Sequence, residues 1–248
     1  MHKICTIIPV YNEASRLEYD VFLEFVKQNT NHYLLFVNDG STDGSLDILK
    51  KLNTQSNNNI FFIDLQKNLG KGEAIRAGVL WIKANLEVEY FGYIDADLAT
   101  PLSEIRHINS AFENKNYNIA FGSRIKLYGS SINRSIKRHY LGRIFATFVS
   151  LFLKLDIYDT QCGAKYFRNN ADVFTLFQEK FISRWFFDIE IFIRYKNNVG
   201  INKFKETTKE IPLNIWTEKG DSKLKTNDFI FTPIELLKIG KHYRNSAK

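Results

Sequence analysis

An α/β domain, with a mostly parallel central sheet and flanking helices, is the fold the sequence predicts. Three observations predict it. Four short apolar runs alternate with helix-length segments over residues 4–94. A strand-then-helix repeat returns each strand in the same direction, which builds a parallel sheet covered by helices. Each run also ends in polar sequence of the kind found at the ligand-binding rim of such sheets. Finally, 44% hydrophobic and 25% charged residues in 248 positions supply a large core and argue against general disorder.

The elements follow in order. Ile4 to Pro9 reads as a buried strand that ends in Val10-Tyr11-Asn12-Glu13. A helix is expected over Ser15 to Gln28, with Val21, Phe22, Phe25 and Val26 as its apolar stripe. Tyr33 to Val37 is the second strand, followed by Asn38-Asp39-Gly40-Ser41-Thr42-Asp43-Gly44 and a helix over Ser45 to Leu52. Ile60 to Leu65 is the third strand. Asn68-Leu69-Gly70-Lys71-Gly72-Glu73-Ala74 then leads into a helix ending near Asn85. Tyr90 to Ile94 is the fourth strand and runs into Asp95-Ala96-Asp97 ahead of Pro101 and a further helix.

Asp95 and Asp97 share one side of the chain if the strand continues through them. Two carboxylates so placed repel each other unless a cation lies between them or one takes a proton. A magnesium or manganese ion prefers such oxygen ligands and leaves positions for substrate phosphates. The competing reading is a polar strand-to-helix turn with Asp as an N-cap. Asp39, Lys71, Asp95 and Asp97 all fall at strand ends, and this convergence favours a metal–diphosphate site. Asp39 suits hydrogen bonds to a base or ribose, or an Asx-turn before Gly40. Gly70-Lys71-Gly72 at a helix start suits phosphate, although the P-loop spacing is missing.

Composition narrows the remaining classes. A net charge of +7 calls for an anionic partner. Cys5 and Cys162 make no disulfide framework. The five histidines lack metal-ligand spacing, and no nucleophile elbow supports a serine hydrolase. No signal peptide and no membrane span are expected. From Asn114 to Leu155 there is no acidic residue, while Arg124, Lys126, Arg134, Lys137, Arg138 and Arg143 fall there. Tyr140 to Leu153 is helical in length and apolar nearly all round, which suits either a core helix or a membrane interface. Basic residues at its start would meet lipid headgroups or an acceptor phosphate. No nucleic-acid module accompanies the charge. Phe229 to Arg244 is a second apolar-basic helix candidate, with Ile230, Ile234 and Leu237 opposite Lys238, Lys241 and Arg244.

The motifs Pro9-Val10-Tyr11-Asn12-Glu13, Asn38-Asp39-Gly40-Ser41-Thr42-Asp43, Asn68-Leu69-Gly70-Lys71-Gly72 and Asp95-Ala96-Asp97 occur in the order and spacing of family 2 glycosyltransferases. Gly122-Ser123-Arg124, Asp159-Thr160-Gln161-Cys162-Gly163, Arg184-Trp185-Phe186-Phe187-Asp188-Ile189-Glu190 and the Trp216–Leu224 segment resemble the dolichyl-phosphate β-glucosyltransferase branch. Mannose synthases of the same group usually carry Gln where this chain has Ala99, so the resemblance leans toward glucose. The eukaryotic glucosyltransferases have an N-terminal membrane anchor, which is not seen here. The resemblance implies a GT-A, Rossmann-like domain over 1–225 and a C-terminal amphipathic helical segment over 226–248.

It further implies inverting, metal-dependent transfer of glucose from UDP-glucose to a polyprenyl phosphate. The protein would be held peripherally at the cytoplasmic face of a membrane. Pro9, Tyr11, Glu13, Asp39, Lys71, Asp95 and Ala96 would bind the nucleotide sugar, and Asp95 and Asp97 the Mg2+ or Mn2+. Arg124, Arg134 and Arg138 would meet the acceptor phosphate, for which the planar guanidinium fork is suited. Asp97, Arg124 and Asp188 are the expected catalytic residues. A glycan hydroxyl is the alternative acceptor; it would need a base, and Asp188 is the candidate. Asp188 could instead orient the Arg184-Trp185 loop. A non-catalytic nucleotide-sugar or lipid-surface module is a third reading, opposed by the complete set of motif carboxylates.

Overall fold

The computed structural model describes residues 2–113, 116–219 and 235–243; the side chains of residues 136–139 and 141 lie outside that description. Nine strands are found among these residues: β1 (Ile4–Val10), β2 (His32–Asp39), β3 (Ile60–Leu65), β4 (Tyr90–Tyr93), β5 (Ile119–Ser123), β6 (Ser131–Asn133), β7 (Lys165–Arg168), β8 (Thr208–Pro212) and β9 (Ile215–Thr217). The helices between them are α1 (Tyr19–Gln28), α2 (Ser45–Gln55), α3 (Lys71–Asn85), α4 (Ser103–Asn109), α5 (Ile136–Leu153), α6 (Ala171–Phe174), α7 (Phe187–Val199) and α8 (Ile201–Thr207).

Seven strands form one sheet in the order β3-β2-β1-β4-β7-β5-β8. Every neighbouring pair is parallel except those made by β7, which runs against both β4 and β5. Strand alternation divides the core. Cys5, Ile7, Leu35 and Val37 join the cluster under α3 and α7, with Ala74, Ile75, Ile189 and Phe192. Ile8, Val10, Leu34 and Phe36 join the opposite cluster with Phe22, Val26, Leu49 and Leu52 of α1 and α2. Successive residues of a strand face opposite sides, so a strand buried on both sides must be apolar throughout. Pro9 is accommodated because the β4 ladder stops at its Ile7 partner, leaving no bond on that side for a proline to forfeit.

Two local expectations are corrected. α1 begins at Tyr19 rather than Ser15, because Asn12, Glu13 and Ala14 give their N–H groups to Ser41, Ser45 and Asp43 of the next loop. β4 ends at Tyr93, so the two aspartates do not share a strand face. They occupy a turn, closed by Leu98 N–H on Asp95 C=O at 3.2 Å with Leu98 at φ +52°.

α5 has two faces. Ala146, Val149 and Leu153 are buried, whereas Tyr140, Ile144, Phe148 and Leu151 are 60–72% exposed. Residues 235–243 are helical and pack Leu236, Ile239 and Tyr243 into the α3/α7 cluster. The boundary expected at 225, and the rest of Phe229–Arg244, lie outside the described residues. No helix among the described residues is long and apolar enough to cross a membrane.

Candidate active site

The carboxyl ends of β1, β2 and β4 converge on one rim, and side chains lock the loops there to one another. Asn12 Oδ1 accepts from Thr42 N at 2.8 Å, while Asn12 N donates to Ser41 Oγ at 3.0 Å. Asp39 is 3% exposed, and its two carboxylate oxygens accept from Leu69 N at 2.7 Å and Gly70 N at 2.9 Å. Burial pushes the Asp39 carboxyl above its ordinary range, against the pull of those amides and the Arg184 charge. Asp39 therefore holds the β3–α3 loop directly; each oxygen keeps one lone pair for a ligand. Gly70, at φ +97°, has no room for a Cβ, which would lie 2.9 Å from Arg184 Nε.

Lys71, the first residue of α3, forms an ion pair with Asp95 Oδ1. Burial alone would lower the Lys71 pKa, but the charges of Asp95 and Asp188 raise it. Asp97 accepts from Ala99 N at 3.0 Å. Its carboxyl is raised by burial and then by the negative charge of Asp95. That mutual repulsion is what a divalent cation would relieve. Gly163 comes so close to this turn that a Cβ there would lie 2.0 Å from Asp95 Oδ2. Two hard oxygen donors fit Mg2+ or Mn2+ with further positions taken by phosphate oxygens and water. Among the described residues no group of three or more His, Cys, Asp and Glu could hold a metal alone. Ala96 is buried in the core, so only its backbone is available to a donor. Tyr11 is 36% exposed at the rim, and Glu13 is buried and paired with Arg16 at 2.6 Å.

Asp188 opens α7 and is buried. Its Oδ1 accepts from Tyr93 Oη at 2.5 Å and from Lys165 Nζ at 2.6 Å. The Lys165 ammonium is fully buried and also donates to Cys162 C=O at 2.7 Å. The pair is thus hydrogen-bonded on both sides, as a buried ion pair must be. This arrangement fits positioning at least as directly as proton transfer.

On the other flank, Arg124 follows β5 and grips Asp159 with two parallel bonds, Nε at 2.7 Å and Nη2 at 2.8 Å. Burial would raise Asp159, yet the Arg124 charge and hydrogen bonds hold it down at about 2. Arg134, after β6, is half-buried and has no hydrogen-bond partner among the described residues. Burial and then the nearby Arg124 charge lower its pKa, against the opposing charges of Asp159 and Glu218; two guanidinium groups brought close in this way suit an anion. The side chain of Arg138 lies outside the described residues.

Sequence reasoning gave Lys165, Tyr93, Asp159 and Arg184 no role. Arg184 reaches Asn68, beside Asp39, across the β3–α3 loop. The available signals were the Asp159–Gly163 and Arg184–Glu190 motifs themselves.

A nucleotide-type rim with an aspartate pair, facing two arginines across one loop, defines the class. Residues 5–174 match the family described as Glycosyl transferase family 2, and the chain belongs to that family of enzymes. Among its relatives is a dolichyl-phosphate β-glucosyltransferase of Trichomonas vaginalis, 31% identical over 96% of this chain and 71% of its own length. Proteins of the same name from Dictyostelium discoideum and Saccharomyces cerevisiae are 30% and 31% identical over 89% of this chain, and 68% and 69% of theirs. The GT-A fold is shared with glucosyl-3-phosphoglycerate synthase of Mycobacterium tuberculosis. Its complex with Mn2+, UDP and glucosyl-3-phosphoglycerate has a TM-score of 0.67 at 14% identity, covering 96% of this chain and 80% of that one.

Proposed function

We propose that this enzyme is an inverting, metal-dependent hexosyltransferase that moves glucose from UDP-glucose to a polyprenyl phosphate such as dolichyl phosphate. The observation that carries this reading is the 30–31% identity to dolichyl-phosphate β-glucosyltransferases over 89–96% of the chain. The synthase of M. tuberculosis, alike in fold, has been crystallised with Mn2+ and UDP-glucose, which supports the donor.

Asp95 and Asp97 would hold Mg2+ or Mn2+, which when bound supplies positive charge against the departing diphosphate. Lys71 adds a second positive charge at the same place from a helix N-terminus. Pro9, Tyr11, Glu13, Asp39 and the Ala96 backbone would frame the nucleotide. Arg134, which makes no direct ion pair among the described residues, would take the acceptor phosphate beside Arg124 and hold it for in-line attack. A phosphate monoester is already largely ionised near neutral pH, its second pKa being about 6. No side chain then needs to remove a proton, and Asp188 serves with Lys165 to fix the site's floor. The exposed stripe of α5 would lie on the cytoplasmic face of the membrane that carries the lipid.

The test is incubation of labelled UDP-glucose, polyprenyl phosphate and Mn2+ or Mg2+ with the chain. An acid-labile lipid-linked glucose is expected; transfer to a saccharide with no lipid product would overturn the reading. Asp97→Asn is expected to lower turnover by about a hundredfold or more, with an unchanged circular dichroism spectrum.

A further inference from the structure

The loop Tyr158–Gly163 spans the two flanks of the site. At one end Asp159 is gripped by Arg124, and the Tyr158 and Asp159 N–H groups donate to Glu210 at 2.9 and 2.8 Å. At the other end Gly163 lies against Asp95. Several polar groups of the loop have partners within the fold. Gln161 N donates to Asp159 Oδ1, and Cys162 C=O accepts from Lys165. Two atoms have none. Thr160 Oγ1 and Gln161 Nε2 are shielded from solvent and have no hydrogen-bond partner among the described residues.

A buried polar group left without a partner costs about 1–3 kcal/mol, and folded proteins rarely keep one. Here two such groups belong to consecutive residues of one loop. Glu13 Oε2, also shielded at the rim, has the Arg16 guanidinium at 2.6 Å, whereas Asn109 Oδ1 and Thr208 Oγ1 lie at the end of α4 and the start of β8. Those positions are at the opposite end of the sheet from the rim. Among the described residues, the pair in the loop is the one that lies between the carboxylate turn and the arginine flank.

We propose that Thr160 and Gln161 read the hydroxyls of the transferred hexose. This rests on the reading that Asp95 faces the donor diphosphate and the arginine flank the acceptor. The anomeric carbon must leave the first and join the second, so the sugar ring lies between them. The chemistry of the pair matches a neutral polyol. A hydroxyl can both donate and accept, and an amide N–H2 donates without charge. Phosphate charge is met elsewhere, by Lys71 and the arginines. A site built to hydrogen-bond a hydroxyl also rejects an isomer that lacks it at that position, because the buried partner is then left unpaired.

The test is equilibrium binding of UDP and of UDP-glucose, each with Mn2+, to the full chain and to Thr160→Val and Gln161→Leu. Both substitutions remove a polar atom that makes no internal bond, so thermal midpoints at or above wild type are expected. UDP should bind within about twofold of wild type, and UDP-glucose about fivefold or more weakly. UDP-glucose affinity within about twofold of wild type, or equal weakening of both ligands, would overturn the proposal, as would a lowered midpoint without change in the affinity ratio. Binding is measured without acceptor, so failure of the lipid reading shows separately, as wild-type chain that makes no lipid-linked glucose. Failure of the donor reading shows as wild-type chain that binds neither nucleotide.

Discussion

His32 shows how one side chain sets a pH dependence. It is 6% exposed at the start of β2, with Nε2 2.7 Å from Thr6 Oγ1, and Thr6 is bonded in turn to Tyr166 Oη at 2.9 Å. Burial lowers its pKa from 6.5 to about 3. The folded chain therefore keeps the imidazole neutral where the unfolded chain takes up a proton. The stabilisation is complete above pH 6.5 and is lost as pH falls toward 3. Its slope is about 1.4 kcal/mol per pH unit. Urea midpoints measured from pH 7.5 to 4.5 should show this slope in wild type and lose it in His32→Gln. Arg134 makes a different prediction. Arg134→Ala should raise the KM for the lipid phosphate about tenfold and leave the KM for the donor nearly unchanged in steady-state assays. An effect confined to the donor would remove Arg134 from the acceptor site. What contiguous motifs made legible at this scale is placement: Asp95, Asp97 and Lys71 stand in short runs, and the fold brings them together. Lys165 was not legible, because a lone lysine in an apolar strand shows its meaning only beside Asp188, which the fold brings from a different element.

Elements were legible to the extent that hydrophobic period determines them. The first four strands are where the alternation of apolar runs and helical segments predicts them, because a two-sided sheet needs continuous apolar strands. Period does not encode direction, so the reversal of β7 between two parallel neighbours was invisible. Nor does it tell a core helix from an interfacial one. Once folded, α5 has one core face and one exposed apolar face, with Val149 and Leu153 buried and Ile144, Phe148 and Leu151 exposed at 64%, 60% and 72%. Replacing these three exposed residues by serine should reduce co-sedimentation with anionic vesicles about tenfold or more, since each would otherwise bury apolar surface worth about 1.5–3 kcal/mol. Surface changes of this kind leave stability within about 0.5 kcal/mol apiece, so thermal midpoint separates the membrane role from misfolding.

At the scale of the whole molecule, the far end of the chain is tied back to the site. Tyr243 Oη donates to Glu190 Oε2 at 2.7 Å and accepts from Arg194 Nε at 2.8 Å. Glu190 in turn accepts from Ile182 N and Ser183 N, just before Arg184. Tyr243→Phe is expected to lower stability by about 1–3 kcal/mol. Its hydrogen-exchange protection should fall at residues 182–183 and not at β2. The placement of β7 has a consequence for how the protein is made. β3, β2, β1 and β4 are neighbours completed by residue 93, so that half of the sheet can assemble while later sequence is still being synthesised. β5 has no such neighbour. It must wait for Lys165–Arg168 to emerge before it can join the sheet, roughly two to eight seconds of translation at 5–20 residues per second. During that interval the acid-free stretch itself emerges, before the strand that will anchor its far side has been made, at a stage when a nascent chain is most exposed to chaperones.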